Sequence, residues 1–168
     1  MPRVSRQLEV ALPIGQVWDF ISRPGNLAKW WPRIVRVEGL VGQPGTTGLK
    51  WTSLLEADSG RRVRLDFEAV KAEPPTLFSW QQELADTQFE KHLRRQEYLV
   101  ELEDRGNSTG VELIAETELK GSARLAGLTL RKSQGQLLDR ALSDLDHVLS
   151  LNAAGREAGD PDQGSSAP

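Results

Sequence analysis

The sequence predicts an α+β fold: a curved antiparallel sheet of six to seven strands wrapped round a long C-terminal helix, with two short helices after strand 1. Three observations predict it. Apolar residues alternate with period two through most of the middle of the chain. The turns between these runs follow too closely to leave room for crossover helices, so successive strands pair antiparallel. One stretch near the C-terminus carries a leucine stripe at helical spacing.

The elements follow in order. Val4, Arg6, Leu8, Val10 and Leu12 share one parity, opposite Ser5, Gln7, Glu9 and Ala11, which makes a first strand with one largely apolar side. Pro13 suits the first position of a helix. Val17, Phe20 and Ile21 then recur at i, i+3, i+4 and give that helix one apolar face. Residues 22–26 break it, and 27–31 form a further turn or two. Pro32 ends this segment, because the residue before a proline is pushed out of the α region. Strands are expected at 33–40, 49–55, 63–69, 77–84, 95–103 and 111–119. Gly42-Gln43-Pro44-Gly45, Asp58-Ser59-Gly60, Glu73-Pro74-Pro75 and the segment from Asp104 to Gly110 separate them. The clearest alternation sets Val63, Leu65, Phe67 and Ala69 against Arg62, Arg64, Asp66 and Glu68. Residues 85–93 are weakly patterned and read as a loop with a helical turn.

The long helix is expected over 122–151, with Ser122 as N-cap. Its stripe is Leu130, Leu137, Leu138, Ala141, Leu142, Leu145, Val148 and Leu149. Gly127 and Gly135 sit inside it, each costing about 1 kcal/mol relative to alanine. They mark either a frayed start and a tolerated kink, or a place where the helix must stay slim to cross another group. Residues 153–168 are rich in Gly, Asp, Ser and Pro and cannot bury enough apolar surface to offset their chain entropy. They read as a disordered tail behind one domain, 1–152.

Composition narrows the function. The chain has 168 residues and no cysteine, so disulfide frameworks, thiolate metal sites and cysteine nucleophiles are excluded. Two histidines are too few for a histidine-rich metal centre, and no metal or cofactor is expected. The net charge of −3 lacks the basic excess that non-specific nucleic-acid binding needs. Mean hydropathy is −0.44, and no apolar run is long enough for a membrane span, so no integral membrane association is expected. The first residues alternate without an apolar signal-type core, an expectation of cytoplasmic location.

A single amphipathic helix laid over so wide a sheet leaves a hollow that side chains fill only if many are aromatic. The chain has five Trp and one Tyr, and Trp51, Trp80 and Tyr98 fall on strands. Such rings can line a cavity and meet a ligand's polar atoms with their N–H and O–H groups. The expected lining is Trp51, Leu65, Phe67, Trp80, Tyr98, Val100, Leu113, Leu128 and Leu137. Plain core packing also explains these residues, and a one-residue register slip turns a whole strand outward. Trp18, Trp30 and Trp31 staple the short helices to the sheet or gate the hollow.

Signals for catalysis are sparse. No nucleophile elbow, Ser-x-x-Lys, glycine-rich phosphate loop or metal-binding His/Glu pair is present. His92 lies among Glu90, Lys91, Arg94 and Arg95 and reads as solvated; His147 reads as a surface residue of the last helix. Glu83, Glu97 and Glu116 are the carboxylates from which a buried acid–base group would come. Arg62, Arg64, Arg94 and Arg95 form either a basic rim for an acidic head group or ordinary solvent-facing positions.

The opening Leu12-Pro13-Ile14-Gly15-Gln16-Val17-Trp18-Asp19-Phe20-Ile21 resembles a P-x-x-x-V-W pattern, and Asn26-Leu27-Ala28-Lys29-Trp30-Trp31-Pro32 an N-x-x-x-W-x-P segment. Glu73-Pro74-Pro75-Thr76-Leu77-Phe78-Ser79-Trp80 and the terminal leucine helix continue the series. In order and spacing these resemble the START-like helix-grip superfamily of the polyketide cyclase/dehydrase and lipid-transport type, over 3–151. That resemblance implies a cavity for an apolar or amphipathic, lipid- or polyketide-like molecule. It does not imply a reaction. Three readings stay open: a binding protein, a cyclase or dehydratase using the same cavity, and an interaction module without a small ligand.

Overall fold

The computed structural model describes residues 2–158. Seven strands form one antiparallel sheet: β1 (Arg3–Val10), β2 (Ile34–Val41), β3 (Lys50–Glu56), β4 (Arg62–Glu73), β5 (Leu77–Gln82), β6 (Leu93–Asp104) and β7 (Thr109–Leu119). Their order across the sheet is β1-β7-β6-β5-β4-β3-β2. After β1 the chain forms α1 (Ile14–Ile21), a 3₁₀ turn (Pro24–Asn26) and the short α2 (Leu27–Trp30). A second 3₁₀ turn (Gly121–Ala126) leads into α3 (Gly127–Ala158), which packs on β1, β7 and α2.

Each strand falls where alternation placed it, and the hairpins set the order. β2 to β7 form a meander, since every consecutive pair is hydrogen-bonded. The first strand closes the series against the last, with Val4 opposite Ala115 and Leu8 opposite Val111. β4 runs on to Glu73 because a bulge between Ala69 and Lys71 lets the strand bend without ending. The turns are tied by short bonds: the Asn26 side chain donates to the Phe20 carbonyl at 3.0 Å, and Thr109 Oγ1 donates to the Leu12 carbonyl at 2.7 Å.

The last helix differs from expectation at both ends. Ser122 caps nothing; it lies within the 3₁₀ turn, and helical geometry starts at Gly127. The helix continues past residue 152 to Ala158, so 153–158 of the stretch expected as a tail are helical; 159–168 lie outside the described residues. At 1.5 Å per residue its 32 residues span about 48 Å. Its first turns overhang the sheet: none of the residues from Gly121 to Ser133 is buried. Among the described residues no helix is long and apolar enough to cross a membrane.

The two helix glycines have different reasons. A Cβ on Gly135 would lie 2.5 Å from Arg6 Nη2, because the guanidinium crosses under the helix there. It reaches Asp139, one turn further on, at 3.0 Å. Gly127 has open space where a Cβ would go. Gly127→Ala is therefore expected to stabilise the fold by about 0.5–1 kcal/mol. Gly135→Ala gains similar propensity but displaces Arg6 from an exposed ion pair, which offsets about half of it. Chemical denaturation of both variants checks this, and equal gains would mean that Arg6 imposes no constraint.

Candidate functional site

The ladder registers collect the core onto one face of the sheet. One cross-strand row runs Ala69, Trp80, Tyr98, Ala115, Val4; the next runs Ala72, Phe78, Val100, Leu113, Arg6. Beyond them Trp51 stands opposite Phe67, and Ser53 opposite Leu65. This concave face is the side α3 and the short helices cover.

The rings on that face meet one another. Trp31, from the end of α2, packs edge-on against Trp80 at 5.5 Å, Tyr98 at 4.8 Å and Trp30 at 5.4 Å. Trp51 stacks on Phe67 at 5.8 Å, and Trp18 of α1 meets Phe78 edge-on at 6.1 Å. Trp31 thus staples its helix by sitting in the hollow. This corrects the expectation that the protein's own side chains leave the hollow open. An indole from the short helix, not from a strand, fills the part above Trp80 and Tyr98.

The nine expected lining residues divide into three groups. Trp51, Phe67, Trp80, Val100 and Leu113 lie on the concave face and are sealed into the core. Leu65, Tyr98 and Leu137 pack against that core yet keep part of their surface accessible. Leu128 is 85% exposed and lines nothing; it sits on the overhanging start of α3. Helical spacing alone did not show where the helix leaves the sheet.

Polar atoms on this side are left over. Trp30 Nε1, Trp51 Nε1, Ser53 Oγ and Gln134 Oε1 are buried without a hydrogen-bond partner. A buried polar group left unpaired costs about 1–3 kcal/mol, so native interiors keep few of them. Two indole donors and a hydroxyl therefore stand ready among aromatic rings, while the Gln134 carboxamide already meets the Tyr98 phenol. Of these, Ser53 was legible from its parity with Trp51, and Gln134 from its place one turn before Leu137 and Leu138. Neither stands out in the sequence, because one polar residue on an apolar stripe is the weakest of signals.

Tyr98 adds a phenol. Burial pushes its pKa up to about 12, and the Gln134 side chain opposes part of that rise. At neutral pH it is a neutral hydrogen-bond donor, not a base. The folded value lies above the ordinary one near 10, so its contribution to stability is complete below pH 10 and lost as pH rises toward 12. Tyr98→Phe is expected to remove about 2 kcal/mol of the loss in folding stability between pH 9 and 12. Unfolding curves across that range test it; an unchanged slope would show that the phenol ionises freely in the fold.

The candidate acid–base and anion-binding groups lie elsewhere. Glu97 is buried but on the outer face, paired with Arg95, whose guanidinium also lies 4.0 Å from Glu116. Glu83 is exposed, 3.5 Å from Lys50. Arg62, Arg64 and Arg94 pair with Glu56, Glu38 and Glu118 on the same outer face, so these arginines are ordinary solvent-facing positions and form no rim. His92 and His147 are exposed. Among the described residues no cluster of three metal-binding side chains is present.

The arrangement is a curved sheet gripping a long helix, with an aromatic interior and no assembled acid–base pair. The family described as polyketide cyclase / dehydrase and lipid transport matches over residues 1–149. The chain belongs to this family. No curated protein matches it significantly. Solved structures share its fold. A START superfamily protein from Mycobacterium smegmatis aligns at TM-score 0.71 and 18% identity, covering 89% of this chain and 97% of that one. The di-domain aromatase/cyclase BexL of the BE-7585A biosynthetic pathway aligns at TM-score 0.73 and 16% identity, over 90% of this chain and 47% of that one. The ZhuI aromatase/cyclase from Streptomyces sp. R1128 aligns at TM-score 0.68 and 13% identity, over 95% and 99%. At such identities the likeness is one of fold.

Proposed function

We propose that the protein binds an apolar or amphipathic small molecule, lipid- or polyketide-like, between its sheet and α3. The observation that carries this reading is the set of unpaired polar atoms at Trp30, Trp51, Ser53 and Gln134 around an aromatic interior. A fifth such atom, Ser79 Oγ, lies on the outer face and takes no part in this reading. A ligand with its own donors and acceptors would satisfy those inside, while its apolar body gains roughly 25 cal/mol per Å² buried, less the cost of association. Leu65, Tyr98 and Leu137 each keep part of their surface accessible. Trp31 has to swing aside; it stands just past α2, in extended backbone at the helix end.

Binding is supported over catalysis. The middle of the concave face offers Tyr98 as its one proton-carrying group apart from Arg6, which is engaged with Asp139. A cyclase-type reaction would have to run on shape and hydrogen bonding alone. Native mass spectrometry of gently purified protein tests the proposal. The expected result is a reproducible added mass in the lipid or polyketide range. A consistently bare mass, together with no binding of an apolar dye, overturns it.

A further inference from the structure

The overhanging start of α3 carries a feature that neither the core nor the hollow explains. Leu125 and Leu128 are 92% and 85% exposed, so both side chains protrude from the surface. On a helix the neighbours of residue 128 lie three and four positions away. Within α3 these are Arg131 and Lys132; Arg124 and Leu125 lie in the 3₁₀ turn that leads directly into it. From Leu119 to Leu138 the sequence holds Lys120, Arg124, Arg131 and Lys132 and no carboxylate, within a chain whose net charge is −3. None of these four cations forms an ion pair among the described residues. The nearby Glu118 is taken by Arg94 at 3.1 Å.

The fold gains nothing from this placement. The first turn of α3 contains no acidic residue, and cations beside a helix N-terminus oppose its dipole. The leucines bury nothing within the chain. Protruding leucines ringed by cations suit a medium that deforms around the one and is charged oppositely to the other. We infer that this segment docks the protein onto an anionic phospholipid surface, with Leu125 and Leu128 entering the headgroup–acyl boundary and the four cations held at the headgroups. A protein partner would need a matching pair of pockets set in an acidic face. The lipid surface needs only its ordinary composition. The inference stands apart from the ligand reading, although Gln134 lies six residues further along the same helix, about 9 Å by rise.

Co-sedimentation of the full chain with vesicles of phosphatidylcholine containing about a third phosphatidylserine tests it, with pure phosphatidylcholine vesicles as the reference. The wild-type chain is expected to bind the anionic vesicles, to release them as salt rises from 50 to 300 mM, and to ignore the neutral ones. The double change Arg131→Gln with Lys132→Gln should weaken binding about 30-fold, roughly fivefold per cation. Leu125→Ser with Leu128→Ser should weaken it at least tenfold and leave the melting temperature unchanged, since both side chains are exposed. Absence of vesicle binding at low salt overturns the inference. So does binding that survives the leucine changes, or a wild-type dimer in solution that those changes dissociate. Any ligand mass seen by native mass spectrometry should persist in the leucine variant, which keeps the two proposals separately testable.

Discussion

Trp31→Ala is expected to lower folding stability by about 3–5 kcal/mol, the usual range for removing a large ring from a packed interior. Trp31 is only 8% exposed and touches Trp30, Trp80 and Tyr98, so its loss removes three ring contacts at once and leaves a void above the sheet. Chemical denaturation measures the loss. A change below about 1 kcal/mol would show that the ring does not sit in the hollow. The same variant reports on function. If ligands enter where Trp31 now sits, the folded alanine variant should bind an apolar dye more tightly than the wild type does.

Arg95→Ala is the second large effect, on the opposite face. The Glu97 side chain is 3% exposed, and Arg95 is its charged partner. Removing one member of a buried pair typically costs 3–5 kcal/mol, because the other charge stays desolvated. Arg95 is itself 38% exposed, so water returns part of that loss and about 2 kcal/mol is expected. Adding Glu97→Gln should recover most of it, since the amide carries no charge to leave stranded. If the double variant is as unstable as Arg95→Ala alone, the guanidinium acts through packing and not through the carboxylate. Any ligand mass should be unaffected by either change, as neither residue faces the hollow.

Much of this architecture is legible in the sequence. Alternation in residues 63–69 put Leu65 and Phe67 on the inner face and Arg62 and Arg64 outside, where both now pair with carboxylates. Period two and period 3.6 are local properties, set by backbone geometry, so a run of a few residues declares them. The site was less legible. Nothing local marks Trp31 as a residue of the interior, because its position depends on how the chain leaves α2. Arg33 adopts φ 67°, its carbonyl accepts from Glu56 N–H at 2.9 Å, and its guanidinium holds Asp58 at 2.7 Å. That tie joins the start of β2 to the end of β3, contacts that no pattern within residues 27–33 announces.

By itself, then, the sequence determined the kind and order of the strands and α-helices and which parity of each strand is apolar. Tertiary structure alone decided three things: that Trp31 fills the hollow, that Glu97 is buried on the far side from it, and that α3 overhangs the sheet at Leu128. Each of these depends on contacts between residues distant in the chain, and pattern within a segment carries no information about what another segment will place against it.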